Sequence, residues 1–332
     1  MLNIHIHKPI EFEKISIENT NQAINLTRQR MSIQQMLDAK DLNQNLINRL
    51  NKYIEKYDQF LISLSPVQPL IDQPIFEWSI QHEILQTSCW KLEPIVSRVV
   101  LSECLIQQAT EKIIEHDFKE ASKLYELAIQ THTSSITKIL EWKWKLSTMN
   151  HHILQDKWHK AMVYHLRSLK DLCMLSVALK KDSPASTLYT VSQRVIKNSA
   201  KAITEWPNMV SNLKLGESLR YLFSSHILWN KEQYGNSIYR LQSWLEKNTF
   251  KCGHFDVIKQ EFEKIPFLLK ERIQANNGAY FDSIKPAAEL PSPSELIHSQ
   301  TSDVPHPQPN QRNLTEDVLV EQRDSLKVPL NR

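Results

Sequence analysis

The sequence predicts a mainly α-helical protein with a small sheet near its N-terminus, and three observations carry that expectation. Only four glycines occur in 332 residues, whereas turn-rich sheets and phosphate-cradling loops lean on glycine's freedom at positive φ. From about His82 to Gln274 the pattern is helical almost throughout. The first seventeen residues alternate instead, with Ile4, Ile6, Ile10, Phe12, Ile15 and Ile17 on even or near-even spacing between polar residues. That is the period of a strand.

From about Thr20 the period becomes helical, and Leu42, Leu46, Ile47, Leu50, Tyr53, Ile54 and Tyr57 fall on one apolar face. Pro66, Pro69 and Pro74 then punctuate the chain. Ile75, Phe76, Trp78 and Ile80 read as another short strand, and these extended pieces are expected to form a small antiparallel sheet packed against the helices. Helix breaks are expected near Pro94, His116–Asp117, His151–Asp156, Lys181–Pro184, Trp206–Pro207 and Lys251–Gly253. Two of the helices run from roughly Val96 to Glu115 and from Phe118 to about Leu146. Helix pairs on short turns stack antiparallel. In FKEASKLYELAIQ, Ala121, Leu124, Tyr125 and Ala128 share a face in the manner of tetratricopeptide packing, without a strict repeat period. Seven of the fifteen prolines lie from Pro286 onward. The expected organisation is a domain over 1–298 and a Pro-rich, largely disordered tail over 299–332.

The composition, 41% hydrophobic and 23% charged, is that of a globular chain rather than a disordered one. A net charge of +3 does not call for a nucleic-acid partner, although a basic stripe would suit a peripheral contact with an anionic membrane. The N-terminus lacks the charged head and apolar core of a signal peptide, and no stretch is apolar enough to span a bilayer. Cys89, Cys104, Cys173 and Cys252 are widely spaced and read as idle thiols of a reducing compartment.

Four motifs, in order, resemble those of the BRO domain of Alix-like, ESCRT-associated adaptors. The first is Leu50-x-x-Tyr53-x-x-x-Tyr57-Asp58-Gln59, followed after the prolines by Ile75-Phe76-Glu77-Trp78. The second is the Ala-rich helix around Tyr125. The third, Tyr234-Gly235-Asn236-Ser237-Ile238-Tyr239-Arg240-Leu241, is similar to the family's Y-G-E-x-I-A-R-L, with Asn236 and Tyr239 as departures. The fourth, Asn276 to Pro286, resembles the segment that leaves the last long helix. Phe281 falls at the family tyrosine and Tyr280 one step before it. The resemblance covers about residues 4–297 and describes a minimal or divergent member. It implies a curved, banana-shaped, tetratricopeptide-like solenoid.

It also implies a mechanism. The family docks the C-terminal helix of an ESCRT-III filament subunit, of the charged-multivesicular-body-protein-four type, in a concave apolar groove. Register matching through the segment ending at Ala202 carries the groove onto Leu169, Asp171, Leu172 and Met174 on one helix. On the next it falls on Thr187, Leu188 and Val191. Each is equally an ordinary core position. The family has phenylalanine where Met174 falls and isoleucine where Thr187 falls, so the apolar surface is smaller here. A helix in such a groove is read at i, i+3, i+4 and i+7.

An enzyme reading finds little support. HExxH, GxSxG and P-loop motifs are absent, and no small-molecule substrate or cofactor is implied. His5 and His7, and the pair His151–His152, lack further ligands at zinc spacing and read as exposed. Trp142 and Trp144 point to different faces of a helix and make no base-stacking platform. The clusters Lys180–Lys181 and Lys197–Lys201 read as solvated faces. The expected role is a non-enzymatic adaptor, cytoplasmic and recruited to endosomal membranes, for sorting and membrane remodelling. The alternative is a pathogen-delivered effector, acting in the host cytosol, that uses a BRO-like domain on host proteins.

Overall fold

The computed structural model describes residues 4–6, 20–39, 43–63, 76–80, 83–87, 92–141, 152–247, 252–280 and 282–284. The chain divides into compact units Met1–Leu290 and Pro291–Arg332, and every described residue lies in the first. Phe281, Pro286, Trp142, Trp144 and the expected tail lie outside the described residues.

Among the described residues most are helical. In chain order the elements are β1 (Ile4–Ile6), α1 (Thr20–Asp38), α2 (Gln44–Ser63), β2 (Phe76–Ile80), β3 (Glu83–Thr87), α3 (Glu93–Ile114) and α4 (Phe118–Glu141). There follow α5 (Asp156–Lys180), α6 (Ala185–Glu205), α7 (Leu213–Asn230), α8 (Tyr234–Lys247), α9 (Asp256–Glu263) and α10 (Ile265–Ala275). A 3-10 turn at His152–Leu154 precedes α5, and a π turn at Asn276–Tyr280 follows α10. The backbone of β1 pairs antiparallel with β2, setting Ile6 opposite Trp78, and β2 pairs antiparallel with β3. Helical structure was expected from His82, but the chain first runs through β3, and α3 begins at Glu93. Pro94 sits in the first turn of α3, where its missing N–H costs nothing.

Apolar spacing explains the helices. On α1, Ala23, Leu26, Arg30, Ile33 and Leu37 are buried, and on α2, Leu46, Leu50, Tyr53, Tyr57 and Phe60. The stripes repeat at three and four residues, so each helix lays one face on its neighbour. The first half of α3 is buried all round, because α2 and α4 cover it on two sides. A buried ion pair closes this corner. Arg30 Nε donates to Glu93 Oε1 at 2.7 Å, and the Tyr53 hydroxyl donates to the same oxygen at 2.8 Å. On α4, Ala121, Leu124, Tyr125 and Ala128 are buried together.

From α3 to α8 successive helices pack on one another, and three of the joints are built alike. At each, the second residue after the helix takes a left-handed conformation: His116 at φ 60°, Asp182 at 50° and Glu232 at 61°. The amides of Asp117, Ser183 and Gln233 reach back five residues to the carbonyls of Lys112, Ala178 and Leu228. Those of His116, Asp182 and Glu232 reach back three. This is a Schellman cap, which satisfies helix-end carbonyls and reverses the chain. Glycine usually holds that position, and none holds it here. The expected breaks missed the third joint, at Lys231–Gln233, because Glu232 carries no turn signature. They also missed the step from α9 to α10, where Pro266 occupies the first turn of the new helix.

Candidate functional site: the face between helices α5 and α6

The short turn at Lys181–Ser183 makes α5 and α6 antiparallel, and side chains join them along their length. Arg194 forms an ion pair with Asp171, whose other carboxylate oxygen accepts from Asn198 Nδ2 at 2.9 Å. Arg194 Nη2 also lies 3.7 Å from the Met174 sulfur. Nearer the other end, Lys201 Nζ stands 5.1 Å from the centre of the Tyr164 ring, which the Arg167 guanidinium approaches from its own helix at 5.7 Å. Burial raises the Asp171 pKa above its ordinary value, with Arg194 and Asn198 opposing that shift. The carboxylate therefore anchors Arg194 from beneath.

The seven groove residues expected from sequence do not share one surface. Met174 is 39% exposed, Thr187 is exposed, and Val191 and Leu188 are nearly covered at 8% and 7%. Asp171, at 2%, reaches the surface only through Arg194. Leu172 is fully buried, so it supports the face from the core and cannot meet a ligand there. Leu169 is half-buried and stands two residues from Asp171. At 100° per residue it lies about 160° round the helix. It falls on the stripe of buried Cys173, away from α6. Arg194 reaches Met174, and Thr187 and Val191 lie seven and three residues before Arg194 on the same stripe of α6; the contacts between the helices are made by Arg194, Asn198, Tyr164, Arg167 and Lys201. The last five were missed because side-chain pairing between helices leaves no period in the sequence.

The motif residues fall elsewhere. Tyr57 is buried with its ring 5.8 Å from Tyr53 and 6.1 Å from Phe60. Ile238 and Leu241 are buried, and the Arg240 guanidinium lies 5.7 Å over the Tyr221 ring. Tyr234 and Gly235, which open α8, meet the segment after α10. Tyr234 stacks on Tyr280 with centroids 3.7 Å apart, and both pack edge-on against Trp229. The Gly235 amide donates to Asp282 Oδ2 at 2.9 Å, so a carboxylate caps α8. A β-carbon on Gly235 would lie 2.0 Å from the Ser283 carbonyl oxygen. Nearby, Arg272 donates to the Ser225 and Ser237 hydroxyls at 2.5 and 2.6 Å and approaches His226 Nδ1 at 3.0 Å.

Histidine chemistry also differs from expectation. His152 is half-buried, 5.3 Å from the Trp158 ring, where an exposed residue was expected. The buried histidines are His132 on α4 and His159 on α5, which join Ser102 on α3 to the carbonyl of Ile153. Ser102 is 1% exposed, so this chain of polar groups lies within the core. A hollow of about 340 Å³ between α2, α3 and α4 has an apolar floor including Ile47, Leu101 and Leu124. Its charged lining groups are Glu55 and Arg98, and Arg98 is engaged by Asp58 at 2.5 Å. Among the described residues no three His, Cys, Asp or Glu side chains converge as metal ligands would. No described helix is long and apolar enough to cross a membrane.

No family model and no curated protein sequence matches the chain. Solved structures do match its fold. The crystal structure of ALIX in complex with the SIVmac239 PYKEVTEDL late domain gives a TM-score of 0.70 at 12% identity, over 87% of this chain and 46% of that one. The chain thus spans about half the length of that ALIX chain. The complex of ALIX BRO1 with CHMP4C gives 0.63 at 14% identity, over 87% of this chain and 90% of that one. Helices stacked in this order, over nearly the whole of the ALIX BRO1 chain, give this protein a BRO1-like fold.

Proposed function

We propose that the protein is a non-enzymatic adaptor that docks an amphipathic helix of an ESCRT-III filament subunit on the α5/α6 face, in endosomal sorting and membrane remodelling. The observation that carries this reading is the exposed Met174 beside Arg194, whose stripe on α6 also carries Thr187 and Val191, in a fold shared with an ALIX BRO1 complex of CHMP4C. Methionine adapts its shape to apolar side chains laid against it, which suits a docking surface. Recruitment by such a face requires no cofactor: it concentrates a filament subunit where the adaptor is held. In this reading residues 1–298, with their small N-terminal sheet, form the docking domain and 299–332 a tail, in a cytoplasmic protein recruited to endosomal membranes.

The test is titration of a labelled CHMP4C C-terminal helix peptide into the full chain. Micromolar binding, about −8 kcal/mol, is expected. Met174→Asp should weaken it on the order of tenfold or more, since the variant removes the apolar contact and puts a carboxylate that must be desolvated under the helix. Met174 is exposed, so circular dichroism should be unchanged. Absence of binding, or binding indifferent to Met174→Asp and Thr187→Asp, would overturn the proposal.

A further inference from the structure

The hollow between α2, α3 and α4 shares no residue with the α5/α6 face. Helices α2 and α4 both pack on α3, so Leu101 and Leu105 of α3 form its floor, with Ile54 reaching in from α2 and Leu124 from α4. These four are nearly covered, but Leu127, one turn on from Leu124, stands 47% exposed. The walls bear mostly uncharged polar groups. Asn51 on α2 and Gln130 on α4 are exposed, and neither side chain, nor the Ser134 hydroxyl, makes a hydrogen bond among the described residues. Of the two charged lining groups, Arg98 is taken up by Asp58 and the Pro94 carbonyl. Glu55 is exposed and has no cationic partner among the described residues. The hollow thus combines an aliphatic floor, neutral amide walls and one unanswered negative charge.

A side-chain amide offers a donor and an acceptor together, as a peptide group does. A helix has already paired its own N–H and C=O groups, so amide walls flanking an aliphatic floor are matched by an extended main chain laid between them. From Gln44 to Glu55 the α2 wall is about 16 Å long at 1.5 Å per residue, which is the length of about five residues of extended chain. The volume of about 340 Å³ falls among ligand-binding pockets. We infer that this hollow binds a short extended peptide segment with aliphatic side chains at alternate positions and a lysine or arginine at one end. The alternate side chains point to one face and cover Leu101, Leu105 and Leu127. The main chain pairs with Asn51 and Gln130, and the cation meets Glu55.

The experiment is fluorescence anisotropy of a dye-labelled, end-capped pentapeptide, threonine-leucine-threonine-valine-lysine, titrated with the full chain. Saturable binding is expected. Leu127→Asp should weaken it on the order of tenfold, because it puts a carboxylate under the aliphatic side chains. Asn51→Ala/Gln130→Ala, or N-methylation of the peptide at leucine and valine, removes main-chain hydrogen bonds and should weaken it roughly fivefold or more. Glu55→Gln should cost about threefold with the lysine peptide and nothing when that lysine is replaced by glutamine. All these positions are exposed, so circular dichroism should be unchanged in every variant. Met174→Asp should bind the peptide as the wild type does, which separates this site from the α5/α6 face. No saturation up to about 1 mM would overturn the inference. Equal affinity for the N-methylated peptide, with loss in Leu127→Asp, would show a hollow that takes any apolar ligand and would overturn the extended peptide. Loss in Met174→Asp but not in Leu127→Asp would move the peptide to the α5/α6 face and overturn the site.

Discussion

His132 and His159 face each other through their Nδ1 atoms at 2.9 Å, and the bonds on either side fix which nitrogens carry protons. His159 Nε2 lies 2.7 Å from the Ile153 carbonyl, so it must be the N–H, and its Nδ1 accepts. His132 therefore donates from Nδ1 and accepts at Nε2 from the Ser102 hydroxyl, 2.9 Å away. Every member is neutral, and a further proton would break the chain. Burial lowers the pKa of His132 well below its ordinary value and that of His159 to about 4.

Acid should therefore destabilise the fold well above the carboxylate range. Burial also lowers His165 and His226 to about 4, with Arg272 adding to the shift at His226. Between roughly pH 6.5 and 4 the unfolded chain binds protons that these folded histidines refuse, so stability falls as pH falls through that window. Each group costs about 1.4 kcal/mol per pH unit there. Urea midpoints at pH 7 and pH 5 measure the effect. A midpoint that does not move would show that the buried pair accepts protons in the folded state.

Replacing Glu232 with glycine should stabilise the protein by about 0.5–1 kcal/mol. Glu232 sits at φ 61°, where a β-carbon costs about 1–2 kcal/mol. Glycine's added freedom in the unfolded chain returns part of that. Thermal unfolding of Glu232→Gly should show a higher midpoint, and a lower one would place the strain elsewhere.

Gly235→Ala should do the opposite. The new methyl would meet the Ser283 carbonyl at 2.0 Å, so the segment after α10 must move or α8 must shift. Overpacking of this kind costs about 1–3 kcal/mol. Displacement would also free the amide that Asp282 caps. Faster proteolysis after Ala275, with a lower melting midpoint, is the expected result.

The Arg30–Glu93 pair gives a contrast between single and double variants. Arg30→Met leaves Glu93 charged and buried, which costs about 3–5 kcal/mol. Arg30→Met with Glu93→Gln removes both charges and should recover a large part of that loss. Chemical denaturation of the two variants and wild type gives the comparison directly.

Thr187→Ile tests whether apolar area on α6 matters for docking. Thr187 is exposed, so the fold should be unaffected. The larger aliphatic group should strengthen binding of an amphipathic helix by about 1 kcal/mol, roughly fivefold.

The helix faces were the legible part. Leu46, Tyr53 and Tyr57 on α2, and Ala121 and Tyr125 on α4, announce their burial through spacing alone, because each helix presents one stripe to its neighbour. The α5 surface was harder to read. This helix is covered by α4 on one side and α6 on the other, so its apolar residues are spread widely round it, and nothing local separates buried Leu172 from exposed Met174. Which turn of α5 faces outward depends on pairings such as Asp171 with Arg194, 23 residues apart. His132 and His159 were hidden for the same reason, since 27 residues separate them.

The three matching caps have a kinetic consequence. Each closes a helical hairpin whose two arms are neighbours in sequence, so its contacts form across short loops, and such proteins fold quickly for their size. Two of the long-range closures sit near the ends of the described region. Arg30 must find Glu93 across 63 residues, and Gly235 must receive Asp282 across 47. Such closures over long loops are expected late in folding. Weakening either should chiefly hasten unfolding and leave the refolding rate near its original value, so these two corners should bear on the lifetime of the folded protein more than on its speed of formation.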